Sequence, residues 1–348
     1  MTRPRATIAF VPREVFSTTE RSLEALYERT TEPFELVCID GGSPPELRDY
    51  LKRQAREKQF TLVRTDHFLT PNQSRNLAVH HVRTPYVVFV DNDVLVSEGW
   101  LAPLINCAEE TGAWVVGPLY FEFLPEGRRL HMVGGECKIK TTERGERVYY
   151  ERHNHAHELR DSIEQTLERQ RTELIEFHTV LVDMEALRQL GPLDEGLLCN
   201  AEHGDLCLTV MNAGHSIYLE PASQITYAPP KRLADGDEPF FTLRWSEAWM
   251  HATRRRIDEK WNLTPGNREN KRAHNWVADH RRYRLLWLNK LRKWIGPKWA
   301  KSFEKRFVAP VESAMSRRRY PLAEHAATPS VEARVAYRPL SSEVVSAA

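Results

Sequence analysis

The sequence lacks the features that mark exported, disulfide-stabilised and membrane-spanning proteins. Its five widely spaced cysteines form no C-x-x-C pair, so neither a disulfide framework nor a cysteine zinc site is expected. No run approaches about 18 consecutive apolar residues, which argues against a spanning helix. The opening residues lead into a strand-like segment without the apolar stretch and cleavage site of a signal peptide. We therefore expect a protein of the reducing cytosol.

The chain also has almost no net charge, but its charges are unevenly distributed. The whole sequence carries +1, from 49 Lys+Arg and 48 Asp+Glu. Residues 251–320 contain 20 basic and 6 acidic residues, a surplus of +14 that leaves −13 for the remainder. Seven of the nine tryptophans fall between 245 and 299. This asymmetry predicts a basic, aromatic surface near the C-terminal end.

The first third of the chain alternates short apolar strands with segments of helical periodicity. The strand-like runs are TIAFVP, ELVCID, TLVRTD, YVVFVD and AWVVGPLYF. Such alternation predicts βαβ units on a mostly parallel, Rossmann-type sheet. Ligands of these open sheets bind beyond the carboxyl ends of the strands. The loops that follow these runs are polar and mostly acidic, which makes them candidate site loops.

The rest of the sequence divides into further regions. After residue 121 we expect a hairpin strand over 132–139, a mostly polar helix over 157–176, a strand over 180–184, a helix over 206–212 and a strand from 216. The region after 231 reads as helical and the end as a disordered tail. The predicted domains are 1–121, 122–230, 231–320 and 321–348.

The strongest local motif is VVFVDNDVLV, over residues 87–96. Asp91 and Asp93 follow a buried strand, and two such carboxylates can share a hard divalent cation that in turn holds a diphosphate. An isolated D-x-D has another interpretation, because Asp-rich turns form such patterns and Asp93 can cap a helix.

This motif lies within the second of three segments that occur in a fixed order. LVCIDGGS, NQSRNLAVHHVRTPYVVFVDNDVLVSEGWL and the stretch from FHTVLVDMEAL to ITY together resemble the family 2 glycosyltransferases, the inverting group of the GT-A fold. The resemblance covers residues 6–230. It implies a nucleotide-diphospho-sugar donor, a divalent cation (Mn²⁺ or Mg²⁺) and a GT-A-like α/β domain with an acceptor-side subdomain.

The resemblance also assigns residues to the donor site. Asp40 matches the acid that accepts a hydrogen bond from the base, and Arg75 matches a guanidinium that faces the diphosphate or braces the loop. Asp93 matches the direct metal ligand, with Asp91 nearer the sugar or ribose. The donor-site set implied is Pro12, Glu14, Asp40, Arg75, Asn76, Asp91 and Asn92. Asp40 as a helix cap and Arg75 as an exposed helix residue remain alternatives.

The expected catalytic base is less clear from the sequence. An inverting transfer needs one general base for the acceptor hydroxyl. The family typically shows E-D-x-D-L, whereas this chain has Glu202, His203, Gly204, Asp205 and Leu206, with His203 at the usual aspartate. We favour Glu202 ahead of Asp205, with His203 as a rival because of its near-neutral reference pKa. A helix N-terminus favours acids for capping alone, which is the alternative for Asp205.

A further metal ligand is also uncertain, because many relatives carry a histidine where this chain reads ITYAPP. His178 is the candidate replacement. The alternate histidines at 153, 155 and 157 would share one face of an extended chain and could chelate a metal. A solvated loop is the other interpretation of that run, and His178 could instead line the acceptor pocket.

The segment RRYRLLWLNKLRKWIGPKW, residues 281–299, suggests a docking surface. Trp287, Leu288, Leu291, Trp294 and Ile295 recur at helical spacing, with basic residues mainly elsewhere, as in helices that lie on anionic membranes. Packing on the catalytic domain or on a second subunit is the alternative, and nucleic-acid binding is disfavoured because no such motif accompanies the aromatics.

The sequence thus predicts a metal-dependent inverting glycosyltransferase of the hexosyl or deoxyhexosyl class. It would transfer a sugar from a nucleotide-diphospho-sugar to a glycan or lipid-linked acceptor, in the cytoplasm or at the inner face of the membrane. A sugar-nucleotide-binding or scaffolding protein is the alternative, since the usual catalytic aspartate is absent. Neither the donor, the acceptor, the linkage nor the oligomeric state can be read from the sequence.

Overall fold

The computed structural model describes residues 3–123, 128–164, 166–321 and the backbone of Arg334–Tyr337, with the side chains at 283 and 289 excepted. Its strands are β1 Ala6–Val11, β2 Phe34–Gly41, β3 Thr61–Thr65, β4 Tyr86–Asp91, β5 Val94–Val96, β6 Val115–Glu122, β7 Leu130–Met132, β8 Gly135–Thr141, β9 Arg147–His153, β10 Gln170–Thr172, β11 Thr179–Asp183, β12 Ile217–Tyr227 and β13 Arg334–Tyr337.

The helices alternate with these strands at first and then form a C-terminal group. They are α1 Thr19–Arg29, α2 Pro45–Lys58, α3 Pro71–Val79, α4 Leu101–Thr111, α5 Met184–Leu190, α6 Glu202–Asn212, α7 Glu238–Arg244, α8 Glu247–Lys260, α9 Arg268–Arg281, α10 Leu286–Ile295, α11 Pro297–Phe303 and α12 Ala309–Arg319. A π-helical turn over Glu304–Val308 joins α11 to α12, and 3₁₀ turns lie at Arg160–Ser162 and Arg282–Arg284. Across the described ranges, each helix is too short or too polar to cross a bilayer.

One mixed sheet forms the centre of the molecule. Its strand order is β10-β12-β6-β11-β4-β1-β2-β3-β13, and β8 pairs with β9 in a separate ribbon. Strands β3, β2, β1, β4, β6 and β12 run in one direction, because β11 is antiparallel to both β4 and β6. The apolar strands are buried on both faces, as covered parallel sheets require. The predicted α/β class with a mostly parallel central sheet is confirmed.

The predicted helix over 157–176 is wrong. Leu159 bridges Arg129, and β10 pairs antiparallel with β12. Leu174 is buried whereas Leu159 is largely exposed, so the apolar residues of the segment do not form one helical face. Tertiary pairing with the sheet therefore overrides the helical propensity of this polar sequence.

The predicted tail over 321–348 contains one described strand, β13, which pairs antiparallel with β3 at the sheet edge. A strand there departs from the prediction of disorder, because the otherwise open edge of β3 offers backbone partners. The remaining positions after 321 lie outside the described residues.

The C-terminal helices pack onto the strand ends rather than extending away from them. A buried apolar group joins the first loop and the loop at 198–199 to α7, α8 and α9; its members are Val15, Leu198, Cys199, Phe241, Trp245, Trp249, Met250, Ala252 and Val277. The ring of Phe240 lies 5.1 Å from that of Phe16 and 5.2 Å from that of Phe68. The helices therefore close one side of the region where ligands of open sheets bind.

Asp237 fastens the start of this covering segment to the first loop. Its carboxylate accepts hydrogen bonds from the backbone nitrogens of Phe16, Ser17 and Ala234 and from the Ser17 hydroxyl, at 2.6–3.0 Å. Because Asp237 is buried, losing its carboxylate would leave several donors without a partner.

We expect Asp237→Ala to lower the free energy of unfolding by about 3 kcal/mol, the upper end of the range for hydrogen bonds to a charged group. Urea unfolding would measure the change. Asp235→Ala is the matched control, since Asp235 is exposed and two residues away. Equal midpoints for the two variants would contradict a fastening role for Asp237.

Candidate active site

A cavity of about 620 Å³ opens beside the carboxyl ends of β1 and β4. Strand ends, the first turn of α6 and the C-terminal helices all contribute to its wall. Of the candidate residues named from the sequence, those that line it are Glu14, Arg75, Asp91, His153, His157, His178, Glu202 and His203. The topology thus brings together side chains that are up to 189 positions apart in the sequence.

Asp91, Asp93 and His178 form a compact buried group. One ligand atom from each lies within 4.8 Å of the others, and His178 Nδ1 stands 3.6 Å from Asp91 Oδ2. The antiparallel pairing of β11 with β4 sets Thr179 opposite Val90, which places His178 beside Asp91. Two carboxylates and an imidazole suit a divalent cation.

Asp93 keeps both carboxylate oxygens available as ligands for a cation. No other described residue donates a hydrogen bond to either of its buried oxygens. Burial, together with the negative charges of Asp91 and Glu14, raises the pKa of Asp93 to about 8. Burial and the nearby Arg13 lower the pKa of His178 to about 4, so its imidazole is neutral and can act as a ligand. These residues fit a bound Mn²⁺ or Mg²⁺.

Two arginines compensate the buried acids. Arg75 Nη2 donates to Asp91 Oδ1 at 3.1 Å, and its guanidinium lies 3.8 Å from the centre of the Phe177 ring. Burial opposes ionisation of Asp91, but Arg75, His178 and Arg13 together outweigh burial and lower the pKa of that carboxyl. Arg75 therefore faces the site and is not an exposed helix residue.

Arg13 is a site residue that the sequence reasoning missed. Its guanidinium lies 3.1 Å from Glu14 and 3.6 Å from both Asp91 and Asp93, and it donates to the Tyr227 hydroxyl at 2.9 Å. The available signal was its place at the carboxyl end of β1, next to a loop acid. Arg13 supplies positive charge between three carboxylates.

Glu14 connects the first loop to the C-terminal helices. Its Oε2 accepts a hydrogen bond from the Trp245 indole at 2.8 Å and lies 3.2 Å from His280 Nε2. Burial would raise the pKa of Glu14, but Arg13 and His280 outweigh burial and lower it. The carboxylate is therefore ionised and fully engaged within the protein.

Three of the predicted donor-site residues lie apart from the main cavity. Pro12, Asp40 and Asn92 line a separate space of only about 10 Å³. Asp40 pairs with Arg64 and accepts from the backbone nitrogen of Ser43, so it does cap the turn after β2. Asn92 binds the backbone of the first loop through Arg13 N and Val15 O.

Asn76 likewise makes contacts within the fold. Its amide donates to Leu193 O at 2.8 Å and to Glu195 Oε1 at 2.9 Å, and its oxygen accepts from Leu193 N. Asn76 thereby holds the loop that precedes α6 against α3.

The three candidate bases have different surroundings. Glu202 is buried, lines the cavity and keeps Oε1 without a hydrogen bond, 3.5 Å from Arg244. Asp205 is not among the described residues that line the cavity. Its carboxylate accepts hydrogen bonds from Lys260 Nζ at 2.7 Å and from Trp261 Nε1 at 2.8 Å. His203 lies between Glu176 and Glu151. Burial disfavours its charged form, but these carboxylates outweigh burial and raise the pKa of His203 to about 10.

The histidine run divides rather than sharing one face. His153 joins a second group with Glu151, Glu176 and His203, whereas His155 pairs with Glu158 and His157 pairs with Glu122. The chain turns after β9, and both His155 and His157 adopt positive φ. The expectation of three chelating histidines in an extended chain is therefore wrong.

Comparison with known proteins places this site in context. Residues 13–183 match the model described as Glycosyl transferase family 2. A pre-mycofactocin glycosyltransferase from Mycobacterium tuberculosis is 22% identical over 202 residues, which are 58% of this chain and 38% of that protein. The chain thus spans well under half the length of this relative.

Solved structures give a second comparison. The crystal structure of GalNAc-T7 with UDP, GalNAc and Mn²⁺ has a TM-score of 0.51 at 16% identity and covers 92% of this chain and 58% of that one. The mannosyltransferase PcManGT from Pyrobaculum calidifontis, in complex with GDP-Man and Mn²⁺, has a TM-score of 0.47 at 15% identity, with coverages of 94% and 86%. The likeness to GalNAc-T7 confirms the expected GT-A fold.

The raised pKa of Asp93 predicts a pH-dependent stability in EDTA. The folded protein keeps a proton on Asp93 that the unfolded chain releases near its ordinary pKa of about 4. Folding stability therefore falls as pH rises from about 4 to about 8. We expect Asp93→Asn to remove this contribution, so that the variant melts at a higher temperature than the native protein at pH 8 and the two converge near pH 4.

Thermal unfolding in EDTA across that pH range would measure this difference. Asp235→Asn, on the surface, is the control for an added amide. A constant difference between Asp93→Asn and the native protein at all pH values would contradict the predicted titration.

Proposed function

The chain belongs to the glycosyl transferase family 2, whose model matches residues 13–183, and we propose that it is a metal-dependent inverting enzyme. It transfers a hexosyl or deoxyhexosyl group from a nucleotide-diphospho-sugar to a glycan or lipid-linked acceptor. The observation that carries the proposal is the buried group of Asp91, Asp93 and His178, of which Asp91 and His178 line the 620 Å³ cavity that Glu202 also lines. The GalNAc-T7 structure, which contains UDP and Mn²⁺, supports it.

The leaving diphosphate needs positive charge. Asp91, Asp93 and His178 would hold a divalent cation, which when bound neutralises charge on the diphosphate. Arg75 is buried beside Asp91 and faces the cavity, where it can donate to phosphate oxygens. The Arg13 side chain is 14% exposed and lines the cavity, so it can turn from the carboxylates towards the donor when the cation balances their charge.

The acceptor hydroxyl must lose a proton to a base. His203 is a poor base at neutral pH, because its raised pKa of about 10 keeps it protonated in the metal-free protein. Asp205 is held by Lys260 and Trp261. Glu202 has a free oxygen on the cavity wall, and we assign the base to it.

The nucleobase of the donor requires more space beside Asp40 than this structure provides. Asp40 and Pro12 line a space of about 10 Å³, which is smaller than any nucleobase. The Phe240 ring covers this region through its contacts with Phe16 and Phe68. If Asp40 contacts the base, the segment around α7 must move away from the first loop when the donor binds.

We expect Glu202→Gln to lower transfer and donor hydrolysis by 10²- to 10⁴-fold, the usual contribution of a general base. A thermal-shift screen of nucleotide sugars with Mn²⁺ would first identify the donor, since a ligand of the native state raises the melting temperature. Initial rates with that donor would then be compared between variants.

Asp205→Asn is the matched control, because it changes an acid three residues away that does not line the cavity. Full activity of Glu202→Gln would eliminate the assigned base. Binding of a nucleotide sugar without any turnover by the native protein would favour the alternative of a sugar-nucleotide-binding protein.

The C-terminal helices offer a surface for a lipid-linked acceptor. Trp294 is 85% exposed and Trp299 is 75% exposed. Exposed apolar side chains then recur at every fourth residue along α11 and α12: Trp299, Phe303, Phe307, Val311 and Met315. A π-helical turn has more residues per turn than an α-helix, so the turn at Glu304–Val308 offsets the drift of this spacing and keeps the stripe on one side.

This stripe differs from the face predicted over 281–299. Leu288 is buried, so only part of that face is available. Basic residues flank the stripe within a region of net charge +14. We propose that the stripe docks on an anionic membrane, with aromatic rings at the headgroup level and basic side chains near lipid phosphates.

We expect Trp299→Ser/Phe303→Ser to weaken binding to vesicles that contain phosphatidylglycerol by at least about tenfold, since each ring contributes more than about 1 kcal/mol when buried. Vesicle sedimentation would measure it. Leu159→Ser is the control, because Leu159 is also exposed but lies outside these helices. Equal binding by all three proteins would remove the stripe as the docking surface.

A further inference from the structure

A second group of potential ligands lies in the same cavity, separate from the aspartates. Glu151 and His153 come from β9, Glu176 from the loop before β11, and His203 from the first turn of α6. One ligand atom from each lies within 4.8 Å of the others. We propose that these four side chains form a second metal site, which takes Zn²⁺ or a similar transition metal.

The distances approach those of a tetrahedral ligand set, with His203 Nδ1 facing Glu176 and its Nε2 facing Glu151. His153 Nε2 lies 2.9 Å from Glu151 Oε1 and 3.5 Å from Glu176 Oε1, and His203 Nε2 lies 3.2 Å from Glu151 Oε2. With metal–ligand bonds of about 2.05 Å, tetrahedral ligands stand about 3.3 Å apart. The four ligand atoms now lie within 4.8 Å of one another, so the side chains would draw together around a bound metal.

The ligand types distinguish this site from the first one. Two imidazoles and two carboxylates suit Zn²⁺, whereas the two aspartates of the Asp91 group suit a harder cation. When both histidines are neutral, as metal ligands must be, and both glutamates are ionised, the group carries a charge of −2, which a divalent metal balances. The His131 ring stands between the two groups of ligands: its centre lies 5.1 Å from that of His178 in the first group and 5.4 Å from that of His153 in the second.

Surrounding contacts hold the ligands in position before any metal binds. The Tyr149 hydroxyl donates to Glu151, and His131 lies 3.7 Å from Glu176. A Cβ atom at Gly204 would stand 1.8 Å from the Tyr149 oxygen. Only glycine therefore lets β9 approach α6 closely enough to bring Glu151 to His203. Outer contacts of this kind orient the ligands of protein metal sites.

A protonated His203 between the two glutamates would produce similar distances, so metal binding must be measured directly. The full chain would be dialysed against EDTA, returned to metal-free buffer and titrated with ZnCl₂ by calorimetry. We expect one tight equivalent of Zn²⁺. In His153→Asn the dissociation constant for this Zn²⁺ should rise at least tenfold. Even the loss of a residue that only hydrogen-bonds a metal ligand lowers metal affinity 10- to 100-fold.

His155→Asn is the matched control, since His155 is two residues away, half exposed and paired with Glu158. Asparagine also tolerates the positive φ at that position. Asp93→Asn separates the two sites, because it should lose stabilisation by Mn²⁺ while keeping the tight Zn²⁺ equivalent.

Thermal unfolding would check that the variants fold, and Glu151→Gln would replace His153→Asn if the latter does not. Unchanged Zn²⁺ affinity in these two variants would overturn the proposal. Loss of the tight equivalent in Asp93→Asn would likewise overturn it and assign zinc to the aspartate group. Because the readout is binding, the result is independent of whether the chain transfers sugar.

Discussion

Three buried carboxylates, Glu14, Asp91 and Asp93, lie just beyond the ends of β1 and β4, each within 3.6 Å of the Arg13 guanidinium. Removing such groups from water is costly unless positive charge or hydrogen bonds replace the lost hydration. Arg13 and Arg75 provide that charge, and Trp245 and His280 add contacts to Glu14. The C-terminal helices therefore contact the first loop in two ways: their apolar side chains pack against it, and Trp245 and His280 satisfy the buried Glu14 carboxylate.

The sequence predicted most of the sheet, because strands buried on both faces leave continuous apolar runs. It also placed Asp91 and Asp93 correctly at the end of β4. The helix expected over 157–176 failed since pairing of β10 with β12 is non-local. Asn76, Asp40 and Asn92 matched family positions, yet their contacts in this structure are with the protein itself.

Residues that sequence reasoning missed share one property: their role depends on distant partners. Arg13 links its neighbour Glu14 to Asp91 and Asp93, which follow from another strand. Glu151 and Glu176 become candidate ligands only because the fold sets them beside His203. Nothing local in the sequence marks a glutamate as one of two that face the same imidazole. The histidine at the usual aspartate position is explained by these neighbours, since a cationic imidazole or a metal-bound one balances both carboxylates.

The contact between Glu14 and His280 joins residues 266 positions apart. Loops of this length close late in folding, because the entropy of closure must be met before the contact contributes. During synthesis, residue 14 leaves the ribosome long before α9 is made. The βαβ half can therefore form its sheet first, while one wall of the cavity is still missing. Ligand selectivity that depends on that wall arises only when the C-terminal helices have been made and have docked.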